Sequence, residues 1–149
     1  MDATELLGTW ELSAWTCTRD GEAHGSPFGG EPSGVLIYSA DGHMAAVLGR
    51  RGEAATGTAT LAAASAEARA RAASSTVAYA GSWALEGDRV VHRVRVALHP
   101  DQVGAELVRE ARFDGAELVL ETAPERTRRG HVLVNTLRWR RPAGGPPGR

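Results

Sequence analysis

Residues 89–98 read RVVHRVRVAL, and they alternate between two faces with a period of two. Arg89, Val91, Arg93, Arg95 and Ala97 make a face suited to water. Val90, His92, Val94, Val96 and Leu98 make a core face that carries one titratable side chain. Successive side chains of a pleated strand point to opposite sides, and β-branched residues suit that surface, so the stretch predicts a half-buried strand.

The same period recurs on both sides of it. Residues 7–18, 34–39, 43–49, 75–85, 105–113, 117–123 and 131–141 alternate in the same way, separated by short turn signals such as Arg19-Asp20-Gly21-Glu22, Ala40-Asp41-Gly42 and Asp114-Gly115-Ala116. A loop rich in Gly and Pro fills residues 24–34. About eight strands in hairpin order predict an all-β fold, a closed antiparallel up-and-down barrel, because closure leaves no sheet edge unpaired. Eight strands enclose just enough room for one small ligand. Two packed sheets are the alternative.

One segment breaks the pattern. Residues 61–75 are alanine-rich, with Glu67 and Arg71 at i, i+4 spacing and Thr58 or Thr60 placed to cap the start, which predicts one short helix. It has almost no large apolar side chain to anchor it, so it either lies against the sheet or stays mobile as a lid.

The length of 149 residues suits one domain over residues 1–141, followed by a flexible tail over 142–149 that has nothing to bury. A net charge of −1 gives no field to recruit nucleic acid or an anionic membrane, and no apolar run approaches a membrane span. The chain has no lysine, which excludes a lysine Schiff base, and its one cysteine excludes an intrachain disulfide. The acidic start does not fit a secretory leader, so the expected location is cytoplasmic. The histidines at 24, 43, 92, 99 and 131 have no metal-ligand spacing, and no nucleotide-binding fingerprint occurs; neither metal nor cofactor is expected. A homodimer is left open.

The stretch Leu6-Leu7-Gly8-Thr9-Trp10-Glu11-Leu12 carries the Gly-x-Trp signature of lipocalins. Residues 27–48, 79–94, 98–113, 117–122 and the final LRWRR at 137–141 resemble, in order and spacing, the short bacterial lipocalin-like domain family. The resemblance implies a lipocalin-like barrel whose internal cavity takes a small, mostly apolar molecule, with Trp10 plugging its closed end. Relatives of that architecture include carriers, isomerases and cyclases of natural-product pathways.

Polar side chains on the apolar faces are the candidates for chemistry. His92 is one, and Arg109 is the other, in line with Ala105, Leu107, Ala111 and Phe113. A guanidinium on an inner face needs a partner, and Glu106, Glu110, Glu117 and Glu121 all fall on the opposite faces by parity. Arg109 then reads either as an anchor for an anionic or carbonyl group or as a cation stacked on an indole. Burial and the neighbouring Arg109 favour neutral His92, which would serve as an acid–base group or rest as a core histidine held by tyrosine or backbone. Tyr79 completes the expected catalytic set. The expected cavity lining is Leu36, Tyr38, Met44, Trp83, Leu107, Leu133 and Asn135.

Two functions follow as expectations. The first is a cofactor-independent isomerase or cyclase of secondary metabolism that folds a carbonyl-bearing substrate. The second is a non-catalytic carrier of a hydrophobic metabolite. A barrel packed solid, acting through its surface, is a third reading.

Overall fold

The computed structural model describes residues 1–144. Strands β1 (Gly8–Arg19), β3 (Pro32–Tyr38), β4 (His43–Arg50), β5 (Val77–Glu86), β6 (Arg89–Ala97), β7 (Glu106–Asp114), β8 (Glu117–Thr122) and β10 (Val132–Arg140) are the staves of one antiparallel barrel. Each pairs with the next, and β10 returns to β1 through a register running from Glu11 opposite Arg140 to Arg19 opposite Leu133. The sheet therefore closes on itself, which rules out two separate packed sheets. Two-residue strands β2 (Glu22–Ala23) and β9 (Glu125–Arg126) extend the seam at one end, the mouth.

The other end is shut. Helix α1 (Ala3–Leu6), capped by Asp2, lies there with Leu6 fully buried. The Trp10 indole donates to the Leu6 carbonyl at 2.8 Å, and the Arg141 guanidinium stacks 3.7 Å over the Trp10 ring while donating to the carbonyls of Glu5 and Leu7. Trp10 is thus the plug expected of it. The helix itself has only four residues, too short for a periodic pattern to reveal it.

The inner faces supply the core, from Leu36 and Tyr38 on β3 to Leu118 and Leu120 on β8. The alternation of β6 holds only as far as Val94. Ala80 pairs with Val96 and Gly81 with Val94, so Arg95 is an extra residue, a β-bulge. Beyond it the parity reverses. Ala97 faces inward opposite Tyr79, while Val96 and Leu98, expected in the core, are 62% and 44% exposed. Gly81 makes the bulge sterically feasible, because a Cβ there would collide with the Arg93 carbonyl oxygen. A second irregularity at Ser13 shifts β1 in the same way and turns Trp15 and Cys17 inward, opposite Leu137 and Asn135.

Two further expectations are corrected. Val91, on the water face, is buried between Ala84 and Val108 of the adjoining strands, with the ion-paired Arg89 and Arg93 on either side. The helix expected over 61–75 divides in two. Thr60 caps a single 3-10 turn at Leu61–Ala63, and Ser65, with an extended backbone, accepts from Ala68 N and starts α2 (Ala66–Ser74) anew. A second capping serine inside the alanine run is what breaks it. The Glu67–Arg71 pair forms at 3.8 Å. The tail expected over 142–149 lies, from residue 145 onward, outside the described residues.

The reversed parity leaves a mark on the outside. Val35 and Ile37 of β3, Ala45 and Val47 of β4, Ala78 and Ala80 of β5, and Val96 with Leu98 form two adjacent cross-strand rows without a charge. Val35, Ile37, Val47, Val96 and Leu98 are each more than 40% exposed.

Candidate functional site

The mouth half of the barrel holds a cavity of about 200 Å³. Its apolar wall comes from Leu36, Ala46, Leu48, Val77, Leu120 and Leu137, with Trp15 and Trp139 on the seam side. Its polar groups are Tyr79, His92, Arg109, Thr122 and Asn135, joined at the rim by Gln102 and Glu125. An apolar chamber with a few convergent polar groups is the usual form of a small-molecule site.

His92 is the centre of a buried chain. Its ring is 1% exposed; Nε2 lies 2.7 Å from the Tyr38 hydroxyl and Nδ1 lies 2.8 Å from the Tyr79 hydroxyl. Three different strands bring these groups together, because Tyr38, Tyr79 and His92 all keep the inward parity of β3, β5 and β6. Burial, helped by the Arg109 charge, pushes the imidazole down to about 3. It is therefore neutral at physiological pH, and both nitrogens are satisfied by protein groups. Tyr38 is raised well above the ordinary phenol range, chiefly by burial. Burial raises Tyr79 too, while the adjacent Arg109 guanidinium opposes the rise.

Arg109 points inward, as parity requires, with Val90 and Thr122 as its cross-strand neighbours. Its Nη1 donates to the carbonyl of Val108 at 3.1 Å. No carboxylate of the described residues lies within ion-pairing distance of it, although Arg89, Arg93 and Arg138 outside the barrel all have such partners. The guanidinium also lies beside the Tyr79 hydroxyl, and the rest of its five donors have no carboxylate to meet among the described residues.

Of the residues expected to form the site, His92, Arg109, Tyr79, Leu36 and Asn135 share this cavity. Asn135 accepts a hydrogen bond from the Trp15 indole at 2.9 Å, which holds both at the seam. Tyr38 and Trp83 sit deeper, toward the closed end, with ring centroids 4.6 Å apart, and the Trp83 indole donates to the Ser39 carbonyl. Met44 and Leu107 belong to the core rather than to the cavity wall, and Leu133 borders a separate shallow hollow beside Cys17. The indole nitrogen of Trp139 has no partner among the described residues and is shut off from water, so it is not a contact for a ligand.

Ten cavity residues stand outside the expected site: six are apolar wall (Ala46, Leu48, Val77, Leu120, Leu137 and Trp139), and the other four are Thr122, Trp15, Gln102 and Glu125. Thr122 shares parity with Leu118 and Leu120 and was within reach of the same rule. Trp15 depends on the bulge at Ser13, while Gln102 and Glu125 stand on a 3-10 turn and a two-residue strand where periodicity carries no signal.

No helix among the described residues is long and apolar enough to cross a membrane. A family model described as a lipocalin-like domain matches residues 7–142, almost the whole described chain. No curated protein matches it. A barrel of this kind suits binding of a small hydrophobic ligand.

Proposed function

We propose, given that the chain belongs to the lipocalin-like domain family, that the cavity binds a small, largely apolar molecule through a carbonyl or carboxylate group and promotes its cofactor-independent isomerisation or cyclisation. The observation that carries this reading is Arg109, a cation without a carboxylate partner among the described residues, facing an apolar chamber. A chamber of about 200 Å³ exceeds the engineered cavity of about 150 Å³ that admits benzene, so one ring with a short substituent fits, and a longer chain would extend through the mouth.

The chemistry would be electrophilic. Arg109 and Tyr79 border the same space and would draw charge onto a carbonyl oxygen as a ring-closing transition state develops. His92 fits a positioning part here, since its nitrogens are occupied and it stays neutral. The alternative is a carrier that holds the same molecule unchanged.

Recovery of the ligand separates the two. Protein isolated from its own host is examined by native mass spectrometry, and the retained compound is returned to fresh protein and analysed by chromatography. Conversion supports the enzyme, unchanged recovery supports the carrier, and a chamber that binds neither the retained compound nor benzoate defeats both.

The exposed rows on β3–β6 fit a second copy of this chain. Their area is on the order of 400 Å² on one copy, within the range of the largest apolar patch of a typical monomer, which is often functional. An isologous pairing would bury about 800 Å² in total, below the range of stable complexes, so the dimer would be weak. The small residues Ala45, Ala78 and Ala80 form a trough between the larger side chains, and a shallow hollow bordered by Ala80, Gly81 and Val96 deepens it.

A further inference from the structure

The direction of the hydrogen bonds through Tyr38, His92 and Tyr79 follows from the burial of one end. The Tyr38 hydroxyl has a single hydrogen-bond partner among the described residues, His92 Nε2, and Tyr38 is 0% exposed. If Nε2 carried the proton, Tyr38 would accept it and its own hydroxyl hydrogen would be buried with nothing to receive it. An unmet buried donor is costly, whereas the opposite arrangement leaves none. Tyr38 therefore donates to Nε2. A neutral imidazole has one N–H, which must then sit on Nδ1 and be donated to the Tyr79 oxygen. Tyr79 accepts from His92, so its own hydrogen is free, and Tyr79 is the member of the pair of tyrosines that borders the cavity.

We propose that this buried chain fixes the Tyr79 hydroxyl as an obligatory hydrogen-bond donor into the cavity, so that with Arg109 the site selects ligands whose head group only accepts: carboxylates, enolates and ketones, not amines. This rests on the reading of the cavity as a ligand site and sharpens it to a head-group class. Tyr38 is a positioning residue. It touches neither the cavity nor a ligand, yet it sets the tautomer of His92 and, through it, the rotor of Tyr79. Arg109 works in the same sense, because a guanidinium can donate but never accept. Successive donation from Tyr38 to His92 to Tyr79 also polarises the last hydroxyl, as linked hydrogen bonds do in a low-dielectric interior.

Two measurements test this. Long-range proton–nitrogen correlation on the unliganded, nitrogen-15-labelled protein reads the tautomer directly; His92 is recognised as the imidazole whose signals are absent from the spectrum of His92→Gln. Protonated Nδ1 with bare Nε2 is expected, and protonated Nε2 or an averaged ring overturns the inference whether or not any ligand binds. Titration with benzoate, benzylamine and toluene then reads selection. Benzoate should bind well ahead of benzylamine, Tyr79→Phe should weaken benzoate about tenfold and leave toluene within twofold, and Tyr38→Phe should average the His92 tautomer and weaken benzoate several-fold. If Arg109→Gln abolishes benzoate binding while Tyr79→Phe leaves it unchanged, the cavity reading survives and the donor role of Tyr79 falls. If benzoate does not bind the wild-type protein, the head-group assignment falls with the cavity reading, and the tautomer result still stands on the spectrum.

Discussion

The Tyr38 hydroxyl stands 2.7 Å from Nε2 of His92, across a barrel interior that leaves both residues out of contact with solvent. The hydrogen bond satisfies a polar group on an otherwise apolar face, while burial, helped by the Arg109 charge, keeps the imidazole neutral. Tyr79 and Arg109 are the other polar groups that face it, and neither offers a negative charge at neutral pH.

That arrangement predicts acid sensitivity. His92 is held at about 3 in the native state against 6.5 when free, so the unfolded chain binds the extra proton between these values. Stability is complete above pH 6.5 and falls as the pH is lowered toward 3, by an amount on the order of 4 kcal/mol at about 1.4 kcal/mol for each pH unit of separation. Urea unfolding at a series of pH values measures it. A free energy flat from pH 7 to pH 4 would show that His92 is accessible to protons.

Arg109→Met should leave the fold as stable as before or raise its stability, within about 1 kcal/mol, since the cation has no carboxylate partner to lose among the described residues. Benzoate affinity should drop by 10- to 100-fold, the worth of a charge-assisted contact of roughly 1.5–3 kcal/mol. Thermal unfolding and calorimetric titration of one sample give both numbers. Marked destabilisation would place Arg109 in the scaffold instead.

Gly81→Ala should destabilise the barrel by about 2–3 kcal/mol, because the added methyl meets the Arg93 carbonyl rather than a side chain that can turn away. Gly104→Ala is a useful comparison, since a Cβ there meets nothing within 4 Å and only its positive φ of 85° is strained. Denaturant midpoints compare the two.

Val96→Asp and Val47→Asp each put a charge on an exposed apolar row without touching the core. Sedimentation velocity across a concentration series should show the wild-type protein shifting toward a dimer at high concentration and both variants staying monomeric, with unfolding free energies within about 0.5 kcal/mol of wild type. A wild-type protein that sediments as a monomer at every concentration removes the dimer.

The strands, their order and the inward side chains of β3, β5, β7, β8 and β10 were legible because a period of two survives any sequence in which one face meets a core. Arg109 was found by parity alone, and so was the absence of an inward glutamate on its own and adjacent strands. Val96 and Leu98 were misplaced because one unpaired residue, Arg95, reverses every later position, and nothing in a run of valines and arginines marks where the partner strand has skipped. Gly81 was the signal available, a glycine in the middle of a strand. The tyrosine partners of His92 needed three-dimensional register, since 54 residues separate it from Tyr38. The break at Ser65 was written in the sequence as a capping serine, but alanine on both sides argued for continuity.

The bulge at Arg95 also sets how hollow the barrel is. Without the bulge Arg95 would pair with Ala80, strict alternation would continue, and Val96 and Leu98 would swing into the space that Ala97 now leaves open beside Tyr79. The same change of register would strip the outer rows of two of their five large members. One unpaired residue thus keeps the chamber hollow and the outer face apolar, so that room inside and bare surface outside are inherited together.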